Sequence, residues 1–372
     1  MGTCKIYGIR GMIGEPKYYV DGKPFTGPWG RPQNDGPALR AMTLSRYALI
    51  LLKQGRDVSH LYKSELPAST PIKRDLEFVA HHWQDASFDI WEEVRGDHFY
   101  TRLVQRRALL RGATLADTLG DLNAANYYRS QAVAIQHSLS TFWDEHRGYI
   151  MATKNRNGGL DYKSSELDIQ TVLAALHAYD DDLDDPQDSF APHSEHVLAT
   201  ADKLAKVFKG EYPINVNHAE LAPGIGRYPE DRYNGNGISL GNPWVLATLA
   251  IAELSYRVAF RLQGQPLSDM NQLTSPFYET AMKESISKNR FFGSLANPQK
   301  ALIEQLIRQG DRYMERIKFH TGSDLNLREQ FNRDTGFMQG ATELTWSHVA
   351  FETARTARAA VLNIFASSAP AA

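Results

Sequence analysis

The sequence predicts an all-α fold of the toroid kind, in which helices alternate between an inner and an outer ring. Three observations carry the prediction. Ten segments repeat their apolar residues at the three-to-four spacing of an amphipathic helix. Strand patterns are nearly absent, Tyr149 to Thr153 being the one short candidate. Long or polar loops at Gly27 to Gly36, Asp85 to His98, Tyr162 to Glu166 and Gly224 to Asn242 each enter every second helix, as expected where loops feeding the inner ring line one mouth.

In chain order the helical segments are Pro37 to Lys53, Ile72 to Trp83, Phe99 to Leu119, Ala124 to Phe142 and Leu167 to Tyr179. They continue with His193 to Phe208, Trp244 to Leu262, Pro276 to Ser287, Pro298 to Phe319 and Glu343 to Ile364. Short links such as Gly120-Asp121-Leu122 alternate with long Gly/Pro/Asp-rich ones such as Glu211 to Pro243. The alternation slips by one helix before Glu329, where an extra short helix near Pro276 is expected. No self-similarity at a fixed period is visible, which argues for a globular toroid and against a TPR-like or armadillo-like solenoid. One domain is expected over 14–365, preceded by an atypical stretch at 1–13 and followed by a disordered Ala/Ser/Pro tail at 366–372.

Composition removes several function classes. With 41 Lys and Arg against 43 Asp and Glu the net charge is -2, so no basic field exists for a phosphate backbone and nucleic acid is not an expected partner. No apolar run has the length of a membrane helix, and Met1 to Val20 lacks the apolar core of a signal peptide; as written, the chain reads as cytoplasmic. Cys4 is the single cysteine and no asparagine heads a glycosylation triplet, so neither an internal disulfide nor an N-glycan is expected.

The chemistry is sought in loops that could face one cavity. In Phe88-Asp89-Ile90-Trp91-Glu92-Glu93-Val94, Glu92 stands between an indole ring and a second carboxylate. Desolvation by the ring and repulsion by the like charge both raise a carboxyl pKa, which is how a glutamic acid stays protonated for general-acid work. The competing reading makes Glu92 and Glu93 first-turn glutamates favoured by a helix dipole, and on local sequence alone it is ahead. A second segment, Gly226-Arg227-Tyr228-Pro229-Glu230-Asp231 with Tyr233-Asn234-Gly235 and Gly241-Asn242-Pro243-Trp244, combines a guanidinium, carboxylates, an amide and rings. Those groups bond to sugar hydroxyls and stack on sugar C–H faces; a glycine-rich surface loop is the bland alternative. Trp29 in Gly27 to Pro37, Glu329 in Arg328-Glu329-Gln330-Phe331 and Trp346 in Leu344 to Ser347 add an aromatic, a second glutamate and another aromatic.

Other arrangements fail. His81-His82 lie on neighbouring helix faces without a third ligand, and no His-Glu-x-x-His, Cys-x-x-Cys, phosphate loop or dinucleotide fingerprint occurs, so no metal or organic cofactor is expected. The acidic run Asp180 to Asp185 lacks the glycine and terminal glutamate of a calcium loop and reads as a solvated turn.

Taken jointly, these segments resemble glycoside hydrolase family 15, the fungal and yeast glucoamylases. The matching stretches are Gly14 to Lys17, Gly27 to Arg40, Asp89 to Val94, Ser164 to Tyr179, Gly226 to Asp231, Asn242 to Trp244 and Leu344 to Ser347, in family order. The resemblance implies an (α/α)6 toroid that cleaves α-1,4 and more slowly α-1,6 bonds from non-reducing ends of starch, glycogen or maltooligosaccharides, with inversion, releasing β-D-glucose without a cofactor. It implies Glu92 as general acid and Glu329 as general base. Arg227, Glu93 and the Ile90 backbone would hold the terminal glucose, Trp29, Trp91, Trp244 and Trp346 would line the sugar subsites, and Asp231 would position its loop. A monomer is expected, with an α-glucan as its partner and no starch-binding module. A trehalase is disfavoured by the Gly-Arg-Tyr-Pro-Glu-Asp and Trp-Glu-Glu segments, and a non-catalytic sugar-binding remnant by the retained glutamates.

Two departures from the family pattern stand out. Gly237-Ile238-Ser239-Leu240 is an insertion of the yeast type, and the upstream Trp-Thr-Arg-Asp segment that grips the terminal glucose is absent. The toroid is therefore expected to be N-terminally incomplete, with an open seam and uncovered apolar helix faces.

Overall fold

The computed structural model describes residues 13–179, 188–263, 271–283 and 297–367. The acidic run Asp180 to Asp185, Cys4 and residues 368–372 of the expected tail lie outside the described residues, as does all of the stretch at 1–13 except Ile13. Helices dominate: α1 Asp35–Lys53, α2 Pro71–His82, α3 Phe99–Thr118, α4 Leu122–Ser140, α5 Gln170–Ala178, α6 Glu195–Glu211, α7 Pro213–Asn217, α8 Val245–Gln263, α9 Ser275–Lys283, α10 Pro298–His320 and α11 Thr345–Ser367. All ten expected helices are present; residues 284–287 of the expected Pro276 to Ser287 helix lie outside the described residues, and the other ends differ by a few residues at most. The short α9 is the extra helix expected near Pro276, and α11 runs two residues into the stretch expected to be disordered. Stop and start signals explain the boundaries: Pro71 and Pro298 occupy first turns, and the Asp121 and Asn297 side chains accept the Ala124 and Lys300 N–H groups.

The sequence reads as one domain over 14–365; the described residues form two compact units. The first comprises 13–143, 151–162 and 177–179, and the second 144–150, 163–176 and the described residues from 188 onward. In the first, α3 is buried on nearly every face and packs against α1, α2 and α4. In the second, α8 is buried in the same way between α10 and α11. A helix enclosed on all sides loses its amphipathic pattern, and its partners carry the one-sided stripe instead.

The loop expected at Asp85 to His98 is a correction. It contains strands β1 Ser87–Phe88 and β2 Val94–His98, which form a three-stranded antiparallel sheet with β5 Thr153–Gly159, with β2 in the middle. Pairings run Phe88 to Arg95, Val94 to Gly159 and His98 to Thr153, with a bulge between Arg95 and Asp97. The expected strand at Tyr149 to Thr153 resolves into β4 Tyr149–Ile150 and the start of β5; β3 is Trp143–Asp144. In the second unit β6 Gln330–Phe331 pairs with β7 Met338–Gln339.

Candidate active site

Glu92 sits in the hairpin loop between β1 and β2, which removes the helix-start reading. The Glu92 N–H donates to the Asp89 carbonyl at 2.9 Å and the Asp89 N–H to the Val94 carbonyl at 2.9 Å. Asp89 itself is fully buried, and its Oδ1 accepts the N–H groups of Glu93 at 2.8 Å and Val94 at 3.2 Å. This carboxylate therefore holds the loop from inside. It keeps Glu92 at φ 65°, a left-handed conformation that costs a non-glycine residue about 1 kcal/mol or more and persists only where the surroundings over-determine it.

The Trp29 loop braces the same hairpin. Phe88 N–H donates to the Pro32 carbonyl at 2.8 Å, and Gln33 Nε2 to the Asp89 carbonyl at 3.2 Å. The Trp29 indole N–H and the Gln33 amide also donate to the Glu92 carboxylate. Lys17 Nζ lies 3.3 Å from the centroid of the Trp29 ring, which is 40% exposed. Burial pushes the Glu92 carboxyl above its ordinary value, against the two hydrogen bonds and the Lys17 charge. Like-charge repulsion from Asp89, three residues upstream, adds to the rise. Trp91 is buried, while Ile90 and Glu93 are half-buried beside it.

Glu329 immediately precedes β6, in the second unit. Its N–H donates to the Ala341 carbonyl at 3.0 Å, and its carbonyl accepts the Val245 N–H, one of the unpartnered donors that open α8, at 3.2 Å. Leu327 and Phe331, on either side, enter the core formed with Val245, Leu249 and Ile317, so the segment cannot slide. Glu329 Oε2 accepts the Tyr233 hydroxyl at 3.2 Å and the Gln330 Nε2 amide at 3.4 Å. Burial raises this carboxyl too, opposed by Tyr233 and the Arg227 charge.

Arg227 is 2% exposed and ringed by Trp244, Tyr228 and Tyr233, with centroids 5.1, 5.3 and 5.4 Å from its guanidinium carbon. Its Nε and Nη2 donate to the two oxygens of Asp231 at 2.8 and 2.6 Å, and Asp231 Oδ1 accepts the Tyr233 N–H as well. Residues 237–240 fold back with a bridge from Ile238 to Tyr233, closed by Ser239 N–H to the Arg232 carbonyl at 2.7 Å. This turn braces the tyrosine that meets Glu329, leaving Ile238 and Leu240 exposed. Trp346 is half-buried in the first turn of α11, and the next residue, Ser347, donates its hydroxyl to the Arg328 carbonyl at 2.9 Å.

The described contacts therefore gather Trp29, Ile90, Trp91, Glu92 and Glu93 in the first unit, and Arg227, Asp231, Trp244 and Glu329 in the second. Asp89, Gln33 and Tyr233 went unassigned in the sequence, although each lies inside a stretch that drew attention. Only Asp89, three residues before Glu92, stands near a candidate glutamate in the sequence; Gln33 and Tyr233 are brought to Glu92 and Glu329 by the fold. Among the described residues no group of three or more His, Cys, Asp and Glu could hold a metal ion. His81 Nδ1 instead meets the Glu77 carbonyl at 2.8 Å, and His82 Nδ1 the Asp85 carboxylate at 2.9 Å. No described helix is long and apolar enough to cross a membrane.

The chain is 39% identical over 353 residues to Glucoamylase 1 of Rhizopus oryzae, covering 94% of this chain and 56% of that protein. It is 39% identical over 369 residues to a glucoamylase of Blastobotrys adeninivorans, covering 95% of this chain and 57% of the relative. The chain thus spans little more than half the length of these relatives. Among solved structures, the family 15 glucoamylase of Hypocrea jecorina superposes with a TM-score of 0.81 at 33% identity, over 94% of this chain and 56% of the other. The Saccharomycopsis fibuligera glucoamylase gives 0.80 at 33% identity, over 94% and 74%. The fold class is accordingly the (α/α)6 toroid class expected from the sequence. The family model for glycosyl hydrolases family 15 matches residues 7–354, and the chain belongs to that family.

Proposed function

We propose that the chain is the catalytic part of an exo-acting, inverting glucan 1,4-α-glucosidase. Its substrates would be starch, glycogen or maltooligosaccharides, cut at α-1,4 and more slowly at α-1,6 bonds from the non-reducing end to release β-D-glucose. The observation that carries the reading is Glu92: a carboxyl held in a left-handed hairpin turn, desolvated, and kept protonated above the usual range in a member of a glycoside hydrolase family. In this reading Glu92 protonates the leaving oxygen while ionised Glu329 activates the attacking water, the division of labour of an inverting pair.

Arg227, Glu93 and the Ile90 backbone hold the terminal glucose, and Trp29, Trp91, Trp244 and Trp346 line the subsites. Asp231, whose oxygens are already engaged by Arg227 and Tyr233, orients the guanidinium. The test is glucose release from maltose and soluble starch, with the anomer identified by proton NMR within the first minutes. β-Glucose is expected, together with a loss of turnover of about 10²- to 10⁴-fold for Glu92→Gln. A wild-type chain that releases no glucose, or releases the α-anomer first, contradicts the reading.

A further inference from the structure

Lys163 and Asp168 form an ion pair in which both side chains are 0% exposed. Withdrawing two charges from water is costly, and a well-packed apolar pair often does as well. Stability alone therefore gives a weak reason for such a pair, and its surroundings supply a better one. Asp168 Oδ1 accepts the Gln170 N–H at 2.7 Å and Oδ2 its side-chain amide at 3.0 Å, which fixes the carboxylate. The next residue, Ile169, donates its N–H to the carbonyl of Arg227 at 2.9 Å.

Lys163 Nζ lies 4.4 Å from the centroid of the Tyr228 ring, the same ring that the Arg227 guanidinium approaches at 5.3 Å. Between the two charged residues, Ser165 N–H donates to Glu230 Oε1 at 2.7 Å, and the hydroxyls of Ser164 and Ser165 meet the same carboxylate at 3.1 and 3.0 Å. Residues 163–169 thus grip 227–230 at the Arg227 main chain, the Tyr228 ring and the Glu230 side chain. All of these contacts lie within the second unit.

We propose that the buried Lys163–Asp168 pair is a positioning device for Arg227, locking the main chain and the aromatic neighbour from which its guanidinium is aimed at the terminal sugar. The inference rests on the reading of Arg227 as a sugar-holding residue. Its physical content is that a charged, directional donor loses much of its value when displaced by a fraction of an ångström. Removing either charge leaves the other buried without its partner. The 168–169 backbone must then shift to admit water or to accommodate a protonated Asp168, and the Arg227 carbonyl shifts with it.

A mutant cycle tests this. Lys163→Met is made in the wild type and in Arg227→Lys, and kcat and KM on maltose are measured alongside circular dichroism and melting temperature. In the wild type Lys163→Met is expected to lower kcat/KM about ten-fold or more, the cost typical of a misplaced positioning contact. In the Arg227→Lys background the further loss is expected to fall below about two-fold, because residues acting as one unit are non-additive. Where Lys163→Met does not fold, the charge-neutral Lys163→Met, Asp168→Asn double variant takes its place in the same cycle.

Losses that multiply independently, or no loss at all in the wild-type background, overturn the positioning role while leaving the hydrolase reading intact. If the wild type hydrolyses nothing but binds 1-deoxynojirimycin, a cationic glucose mimic, the same cycle is read on its Kd with the same criteria. A wild type that neither hydrolyses nor binds overturns both readings together.

Discussion

Glu92 keeps its proton to a higher pH than a free glutamate because burial withdraws water from the carboxylate, while three nearby groups favour the charged form: the Trp29 and Gln33 donors and the Lys17 ammonium. Of these only Lys17 acts as a full charge, parked 3.3 Å from the Trp29 ring centroid. Lys17→Met therefore leaves the desolvation in place and removes a stabiliser of the ionised form, so the Glu92 pKa rises. A general acid must be protonated to work, and the basic limb of kcat/KM on maltose is expected to move to higher pH. A limb that stays put or moves toward acid would mean that another group sets it. At this scale the sequence was informative about identities and poor about causes. Trp91-Glu92-Glu93 stands out only through the motifs around it, since Trp143-Asp144-Glu145 repeats the local pattern, whereas the repulsion from Asp89 depends on a turn that folds residue 89 back under residues 93 and 94.

Both carboxylates proposed for chemistry lie on β-hairpins in a chain whose bulk is helical. Glu92 occupies the β1–β2 loop; Glu329 and Gly340 flank the β6–β7 pair, joined across it by Glu329 N–H to the Ala341 carbonyl. Gly340 adopts φ +78°, and a Cβ there would lie 2.6 Å from Glu329 Oε2. Gly148 adopts φ +69° with nothing within 4 Å of the same imagined atom. Alanine at either site is expected to cost about 1 kcal/mol for the left-handed backbone. Only Gly340→Ala should also displace the carboxylate and lower kcat by about ten-fold or more, and equal kcat in the two variants would separate Gly340 from the site. The long helices were legible because their 3.6-residue apolar repeat extends over many turns. These hairpins were not: β1, β6 and β7 are two residues long, and β5, Thr-Lys-Asn-Arg-Asn-Gly-Gly, carries none of the alternating apolar residues by which a strand is recognised. Lys163 lay in a loop already marked as feeding the mouth, but a buried lysine and an exposed one look alike in sequence.

At the scale of the whole molecule, two buried groups in different units give opposite contributions to stability as pH changes. Burial raises the Asp35 carboxyl from 3.8 to about 6, with the Asp89 and Glu92 charges adding to the rise. Burial and the Arg316 charge lower His320 from 6.5 to about 4, and its ring stacks on Phe331 at 4.4 Å. For Asp35 the folded state holds its proton longer, so the contribution is complete below pH 3.8 and is lost as pH rises through 6. For His320 the folded state resists protonation, so the contribution is complete above 6.5 and is lost as pH falls through 4. Each shift corresponds to about 3 kcal/mol, and between pH 6.5 and 4 the two nearly cancel. Asp35→Asn is therefore expected to lose about 3 kcal/mol more than the wild type on acidification over that interval, and His320→Phe about 3 kcal/mol less. Urea unfolding at pH 4, 5 and 6.5 measures both, and slopes parallel to the wild type would show that neither group titrates as its burial requires. Because Asp35 belongs to the first unit and His320 to the second, the same data report cooperativity. If the chain unfolds in one transition, both variants shift that transition; if the units unfold separately, each variant shifts only the transition of its own unit.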